Sequence, residues 1–424
     1  MSQGASPDAA PDGAAESGLA RALSPTLLIL VALGTTLGAG IYVVIGEIIG
    51  SAGYWTPVAF LVACVVALFT GTSFAELAGR NPSAGGPVAW ADDAFGRRWL
   101  SVGVGWGIVA VGIASAATIS TGFVAYIGAF VPLSKWWILP VVVGIPTAIA
   151  IAGVRESAIV MAVTTVAGLV GLVLVLWQAG GNIGDWPQTL ALGDAGGEAG
   201  GVEGGLLLGI VIGAFLAFYA FIGFEDIVHL GEETKAAHRT VPLAIFVTLG
   251  VALVFYLLIA LAAVTTLPPR ELAESKVPLV AVVERTGMNG LIVGVLGLVT
   301  IADGLFAQII MVSRTVYDLG ERRRGAPRFL SALWPRTRTP ALATALAGGI
   351  ILALALFFPT RTLASATSAV ILVVFCVANL ALIRLKSRQA LPKGRFRAPA
   401  VVPWLGAGSC LLLLAALPFA GGEH

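Results

Sequence analysis

Apolar runs recur along almost the whole of this chain, many of them near the roughly 20 residues that an α-helix needs to cross the hydrocarbon core of a bilayer. Eleven are read, with cores at 25–49, 54–79, 100–131, 136–152, 157–179, 206–230, 241–266, 289–319, 340–358, 363–385 and 402–419. Lipid offers the backbone no hydrogen-bond partner, so segments of this length are helices. The composition agrees: 58% of the residues are hydrophobic and 11% charged, against about a quarter charged in soluble domains. The expected fold class is an all-α polytopic membrane protein with about eleven transmembrane helices.

Charge sets the expected orientation. Residues 1–24 lack the charged and apolar regions of a signal peptide, and their Ala, Gly, Pro, Ser and Asp content reads as a disordered cytoplasmic tail. With that tail inside, 20 of the 25 Lys and Arg fall on the cytoplasmic side, leaving Lys135, Arg270, Lys276, Arg285 and Arg361 outside. This bias follows the positive-inside rule. The expected location is the cytoplasmic (inner) membrane, and the net charge of +2 reflects topology, so no nucleic-acid partner is expected. Cys64, Cys376 and Cys410 all lie in expected spans, and the three histidines are scattered. Neither a disulfide framework, a metal site nor any cofactor is expected.

The segment 180–205 is Gly-rich with acidic charges only, and reads as a flexible external loop. It separates two sets of five spans, 25–179 and 206–385, and leaves 386–424 as a basic cytoplasmic loop plus an eleventh span. Each set opens on an interrupted span: Leu37-Gly-Ala-Gly40 in the first, Ile222-Gly-Phe-Glu-Asp226 in the second. Matched interruptions in two halves point to the binding site of a repeat-built transporter. Because five is odd, the repeats are inverted. A broken helix frees N–H groups and carbonyls that only protein or a water-filled cavity can satisfy. Freed N–H groups at a helix start suit a carboxylate, and freed carbonyls suit an ammonium, the two charges of an amino acid. The competing reading is that these glycines let helices pack closely.

Gly38-Ala-Gly-Ile-Tyr42, Ala75-Glu-Leu-Ala-Gly-Arg80 with its continuation to Gly86, Phe218-Tyr-Ala-Phe-Ile-Gly-Phe-Glu-Asp226 running to Lys235, and Ser313 to Pro327 together resemble the amino acid–polyamine–organocation superfamily of secondary transporters. The resemblance implies a five-plus-five inverted repeat of the leucine-transporter type, with a substrate site between spans 1, 3, 6, 8 and 10. It implies that the amides of Gly38, Ala39 and Gly40 hold the substrate carboxylate, and that the carbonyls of Thr36, Tyr219 and Ile222 take its ammonium. Tyr219 also matches the aromatic that closes over substrate, and Phe221 and Phe224 border the pocket or pack as ordinary aromatics.

Ionisable residues inside a membrane are costly and mark functional sites. Glu225 follows the second break and is the leading candidate for coupling. Asp226 faces another way, toward water or His229. Asp303 either neighbours a cation site or serves a structural hydrogen bond. Glu76, Glu232 and Glu233, with Arg80 and Arg239 close by in sequence, read as an inner gate of ion pairs or as solvated helix ends. Two departures from the family stand out. Gly168 occupies the place of the fifth-span lysine of proton-coupled relatives, and the third span holds no acid, which disfavours basic substrates.

The function expected is secondary active transport of amino acids, neutral or apolar, by alternating access coupled to an ion, a proton before sodium. The alternatives are an amino acid or amine exchanger, and a sensor or channel-like protein on the same fold. The expected partners are the substrate, the coupling ion and the lipid bilayer, with the oligomeric state left open. An odd span count also places the C-terminus outside. A tag after His424 should react with a membrane-impermeant reagent on intact cells, and one before Met1 only after the cytoplasm is opened; the reverse pattern would show the orientation to be wrong.

Overall fold

The computed structural model of the protein describes residues 24–80, 86–153, 158–196, 205–234, 236–321, 325–391 and 394–420, and these are overwhelmingly helical. The expected disordered tail and His424 lie outside the described residues. In chain order the first half contains α1 (Pro25–Leu37), α2 (Ala39–Ala52), α3 (Thr56–Arg80), α4 (Gly86–Phe95), α5 (Arg98–Phe130), α6 (Lys135–Ile151) and α7 (Ala158–Ala179). After α8 (Trp186–Gly196), the second half contains α9 (Leu206–Phe221), a 3₁₀ segment (Phe224–Glu233), α10 (Ala237–Thr266), α11 (Pro269–Glu274), α12 (Pro278–Arg285), α13 (Gly290–Glu321), α14 (Arg328–Ser331), α15 (Ala341–Phe357) and α16 (Thr360–Arg388). The chain closes with α17 (Val402–Leu414) and α18 (Leu417–Ala420).

Every expected apolar run has a helix in its place. Eight stretches are long and apolar enough to cross a membrane, the first of them containing α1 to α3, and α6 and α15 are shorter apolar helices. Leu207, Leu412, Trp177 and Ile159 are more than two-thirds exposed, as expected of a surface that faces lipid.

Two packing groups organise the helices. In one, α3 lies along α10 and α9, α2 along α9, and α1 along α10; in the other, α5 lies along α13 and α16, and α15 along α6. Small residues permit this closeness, as is usual where lipid supplies no hydrophobic drive between helices. At Gly112 of α5, for example, a Cβ would fall 2.8 Å from the Met311 side chain of α13.

Of the expected external loop 180–205, residues 197–204 lie outside the described residues, and the part before them is helical. Residues 180–185 form a 3₁₀ turn that runs into α8. Trp186 holds this part down: its indole N–H donates to the Tyr54 carbonyl at 3.0 Å, and its ring meets Trp55 edge-on at 6.2 Å. A tryptophan with both an apolar neighbour and a hydrogen-bond acceptor is a strong anchor, and it outweighs the glycines around it.

Candidate functional site at two crossing helix breaks

The first break is confined to a single residue. α1 stops at Leu37, Gly38 adopts φ −70° and ψ −128°, and α2 begins at Ala39. The turn brings Gly38 so close to the Gly34 carbonyl that a Cβ would collide with it. The opening N–H groups of α2 consequently have no acceptor within their own helix, which is what the amide role of Gly38, Ala39 and Gly40 requires. Gly40 has a packing role as well: a Cβ there would sit 3.0 Å from the Ala220 Cα of α9. The segment thus combines a broken helix with close packing.

The second break is wider. α9 ends at Phe221, Ile222 is extended, and Gly223 has φ +123° before the 3₁₀ segment starts. Glycine adopts that conformation at little cost and other residues do not. A Cβ at Gly223 would also fall 2.5 Å from the Thr35 carbonyl oxygen. The two breaks thus cross in contact, and the Thr35 hydroxyl donates to the Gly223 carbonyl at 3.1 Å.

Tyr256 of α10 ties both breaks together. Its hydroxyl lies 2.6 Å from the Thr36 carbonyl and 2.7 Å from the Ala220 carbonyl. A phenol has one proton, so it satisfies one of these helix-end carbonyls at a time. Phe60 and Phe221 flank the Tyr256 ring at 5.3 and 5.0 Å. The Thr36 hydroxyl is buried without a hydrogen-bond partner among the described residues, leaving a polar group beside the crossing with spare capacity.

The other expected binding groups occupy definite places. The Tyr219 carbonyl accepts the Ile222 N–H at 3.2 Å, and the Tyr219 hydroxyl meets Ser115 Oγ of α5 at 3.2 Å. Tyr219 therefore spans from the second break to the third expected span. Phe221 and Phe224 are fully buried. Phe224 packs on Phe74 and Phe375, with centroids at 5.8 and 5.4 Å, and Phe221 packs on Tyr256; both sit in aromatic packing behind the crossing.

Glu225 folds back on its own break. Its Oε2 accepts the Gly223 N–H at 2.8 Å, and the side chain is buried. Asp226 is half-buried, donates its own N–H to the Gly223 carbonyl at 3.1 Å, and lies within electrostatic reach of His229. The His229 ring in turn abuts Gly86 at the start of α4. Asp303 of α13 accepts the Thr164 hydroxyl of α7 at 2.6 Å, which fits the structural alternative. Gly168 is closed in: its carbonyl accepts the Tyr42 hydroxyl at 2.8 Å, and a Cβ there would fall 2.7 Å from Thr300 Oγ1.

At one end of the bundle, Glu76 is fully buried and bonded on both oxygens. Arg80 Nε and Nη2 donate to Oε1 at 2.9 and 2.7 Å. Lys386 Nζ lies 2.7 Å from Oε2, and the Ala398 N–H donates to the same oxygen at 2.8 Å. Glu76 thus joins α3 to the linker between α16 and α17. Arg239 is exposed at the start of α10, and the side chains of Glu232 and Glu233 lie outside the described residues. At the opposite end of α16, Arg361 is close enough to act on the charge of Glu47 in α2.

Sequence reasoning missed Tyr256, Ser115, Thr35, Lys386 and the electrostatic reach of Arg361 to Glu47. A signal existed for Tyr256, since a tyrosine in the middle of an apolar span must find a partner for its hydroxyl. Lys386 gave none, being one basic residue among several at a helix end.

Crossing interrupted helices inside a bundle of apolar helices define a multi-pass membrane transporter, and comparison with known proteins specifies the kind. The model of the amino acid permease family matches residues 23–424, and the chain belongs to that family. It is 32% identical over 395 residues to an uncharacterised transporter of Mycobacterium tuberculosis, covering 92% of this chain and 84% of that one. It is 25% identical to the branched-chain amino acid permease BcaP of Bacillus subtilis, over 94% of this chain and 88% of the relative. A solved Na+-coupled sialic acid symporter in a substrate-bound outward-open state superposes with a TM-score of 0.61 over 94% of this chain and 90% of its own, at 12% identity. That likeness extends to the fold alone.

Replacing Tyr256 by Phe removes the hydroxyl that serves two buried carbonyls while keeping the ring. An orphaned buried acceptor costs about 1–3 kcal/mol. Uptake by Tyr256→Phe should fall roughly tenfold at unchanged membrane abundance; wild-type uptake rates would show that the carbonyls do not depend on this hydroxyl.

Proposed function

We propose that the protein is a secondary active transporter of neutral or apolar amino acids, coupled to an ion gradient with the proton favoured, and working by alternating access in the cytoplasmic membrane with its N-terminus inside. The observation that carries this reading is the crossing of the breaks at Thr35 and Gly223, which sets the opening N–H groups of α2 beside the helix-end carbonyls of Thr36 and Ala220. Such a pairing of donors and acceptors suits a zwitterion. The halves 25–179 and 206–385 are the proposed inverted repeats, and each supplies one break.

Two features support a neutral side chain. The helix α5 contains no acidic residue along Arg98–Phe130, and a buried cationic side chain without a counter-charge is costly. Ser115, which reaches the second break through Tyr219, is a neutral hydrogen-bonding group. In proteoliposomes, leucine, alanine and phenylalanine should compete for uptake better than arginine or lysine. Competition by arginine alone would overturn the neutral assignment.

Glu225 is the proposed proton-coupling residue, with Asp226 and Asp303 as the next candidates. It is a buried acid whose carboxylate caps the Gly223 N–H, so its charge bears directly on the break beside which substrate would lie. Glutamine keeps an acceptor oxygen for that N–H and removes the titration. Glu225→Gln should therefore lose the pH dependence of uptake between about pH 5 and pH 8.5, a window broad enough to include carboxyl groups shifted by burial. Initial rates in sodium-free buffer test this directly. Equal pH profiles and equal accumulation in the two proteins would make Glu225 structural, and a requirement for sodium at every pH would refute proton coupling.

A further inference from the structure

Beyond the substrate path, a cavity of about 680 Å³ opens beside the Glu76 cluster, lined among others by Arg80, Lys386, Gln389, Arg397 and Ala400. We propose that this cavity binds the phosphate group of an anionic phospholipid headgroup.

The charge balance is the first ground. Three basic side chains line the cavity and no carboxylate does. Glu76, buried behind them, offsets only one of the three charges. Arg80 spends three N–H groups on Glu76 and the Gln389 carbonyl, out of the five that a guanidinium has. Lys386 spends two of its three on Glu76 and the Ala398 carbonyl. Both cations are therefore fixed in place by protein partners and keep donors to spare. Arg397 is exposed at the mouth and makes no ion pair among the described residues. A pre-oriented pair of cations backed by a third at the rim suits a phosphate, which accepts several charge-assisted hydrogen bonds at once.

Position is the second ground, and it selects lipid over a free ion. The lining reaches Ala400, two residues before α17 begins. Immediately beyond it, Val401, Trp404 and Leu405 are exposed, Trp404 by 61%. Exposed tryptophans at the end of an apolar helix sit at headgroup level, so the cavity mouth lies where lipid phosphates are. Arg384 and Arg388 of α16 are pinned nearby on the Ala94 carbonyl of α4. Basic pockets between membrane helices are known headgroup sites.

Binding there would brace the linker that Glu76 holds to α3. The test is a titration of the purified full-length protein in detergent with phosphatidylglycerol, phosphatidylcholine and inorganic phosphate separately, with bound lipid read by native mass spectrometry and melting temperature followed in parallel. Phosphatidylglycerol should be retained in preference to phosphatidylcholine and should raise the melting temperature. Arg397→Glu, at an exposed position that leaves the Glu76 cluster intact, should weaken phosphatidylglycerol retention roughly tenfold. Arg336→Glu, the same charge change at an exposed loop position ahead of α15, should leave it unchanged. Equal retention by Arg397→Glu and wild type, or equal losses in both variants, would overturn the site. Stabilisation by millimolar inorganic phosphate alone, matching that of the lipid, would overturn the lipid as occupant.

Discussion

A helix interrupted in hydrocarbon must satisfy inside the protein every backbone group it frees, and much of this structure answers that requirement. The two breaks meet it differently. The second is largely self-sufficient: Glu225 caps the Gly223 N–H, and the Gly223 carbonyl accepts from both Thr35 and Asp226. The first draws on another helix, because the Thr36 carbonyl accepts from Tyr256 of α10. Since the same hydroxyl also reaches the Ala220 carbonyl, the ends of α1 and α9 share one proton. One proton serves two acceptors there, so the crossing keeps acceptor capacity that the proposed substrate ammonium could use.

Glycine placement follows from the same constraint. Gly223 is needed for its positive φ and for contact with Thr35. Gly38 is needed because the backbone folds onto the Gly34 carbonyl, and Gly40 because α2 runs against Ala220. Cooperation between the two is direct: close packing of α2 on α9 is what brings the opening of one half-helix to the end of the other. Breaking helices and packing them tightly, which looked like rival explanations, are parts of a single arrangement.

Local signals carried most of the architecture. Apolar runs located the helices, and the Gly-rich interruptions located both breaks to within a residue or two, because lipid makes hydrophobic length and broken periodicity unusually informative. Partners distant in sequence were out of reach. Glu76 was readable as an ion-pair residue with Arg80 four positions on, whereas Lys386 and the Ala398 N–H lie more than 300 residues away. Phe221 and Phe224 flanked the break in sequence and so invited a pocket role, but their packing on Tyr256, Phe74 and Phe375 is a property of the assembled bundle. In the described part of the link after α7, the Trp186 bond to the distant Tyr54 carbonyl was equally out of reach.

The hydrogen bonds that cross between packing groups bear on how the proposed cycle would run. Tyr256 joins α1, α9 and α10, so the two breaks belong mechanically with the group that includes α3. Ser115 belongs to α5 in the other group, and it reaches the second break through the Tyr219 hydroxyl. A relative movement of the groups would stretch the Ser115–Tyr219 bond, whereas the Tyr256 bonds lie within one group and would be carried along unchanged. The neutral bond is the one placed to yield: a hydroxyl pair contributes about 1 kcal/mol net, small enough to be exchanged for contacts to a substrate. The charged and multiply bonded cluster at Glu76 joins α3 to the end of α16 and the linker after it, where four donors from three residues hold one carboxylate. Breaking such a buried pair costs several kcal/mol, and since Lys386 belongs to α16, the cluster pins that end of α3 to the group that includes α5, so a relative movement of the groups would be smallest there and largest where they meet through neutral bonds such as Ser115–Tyr219.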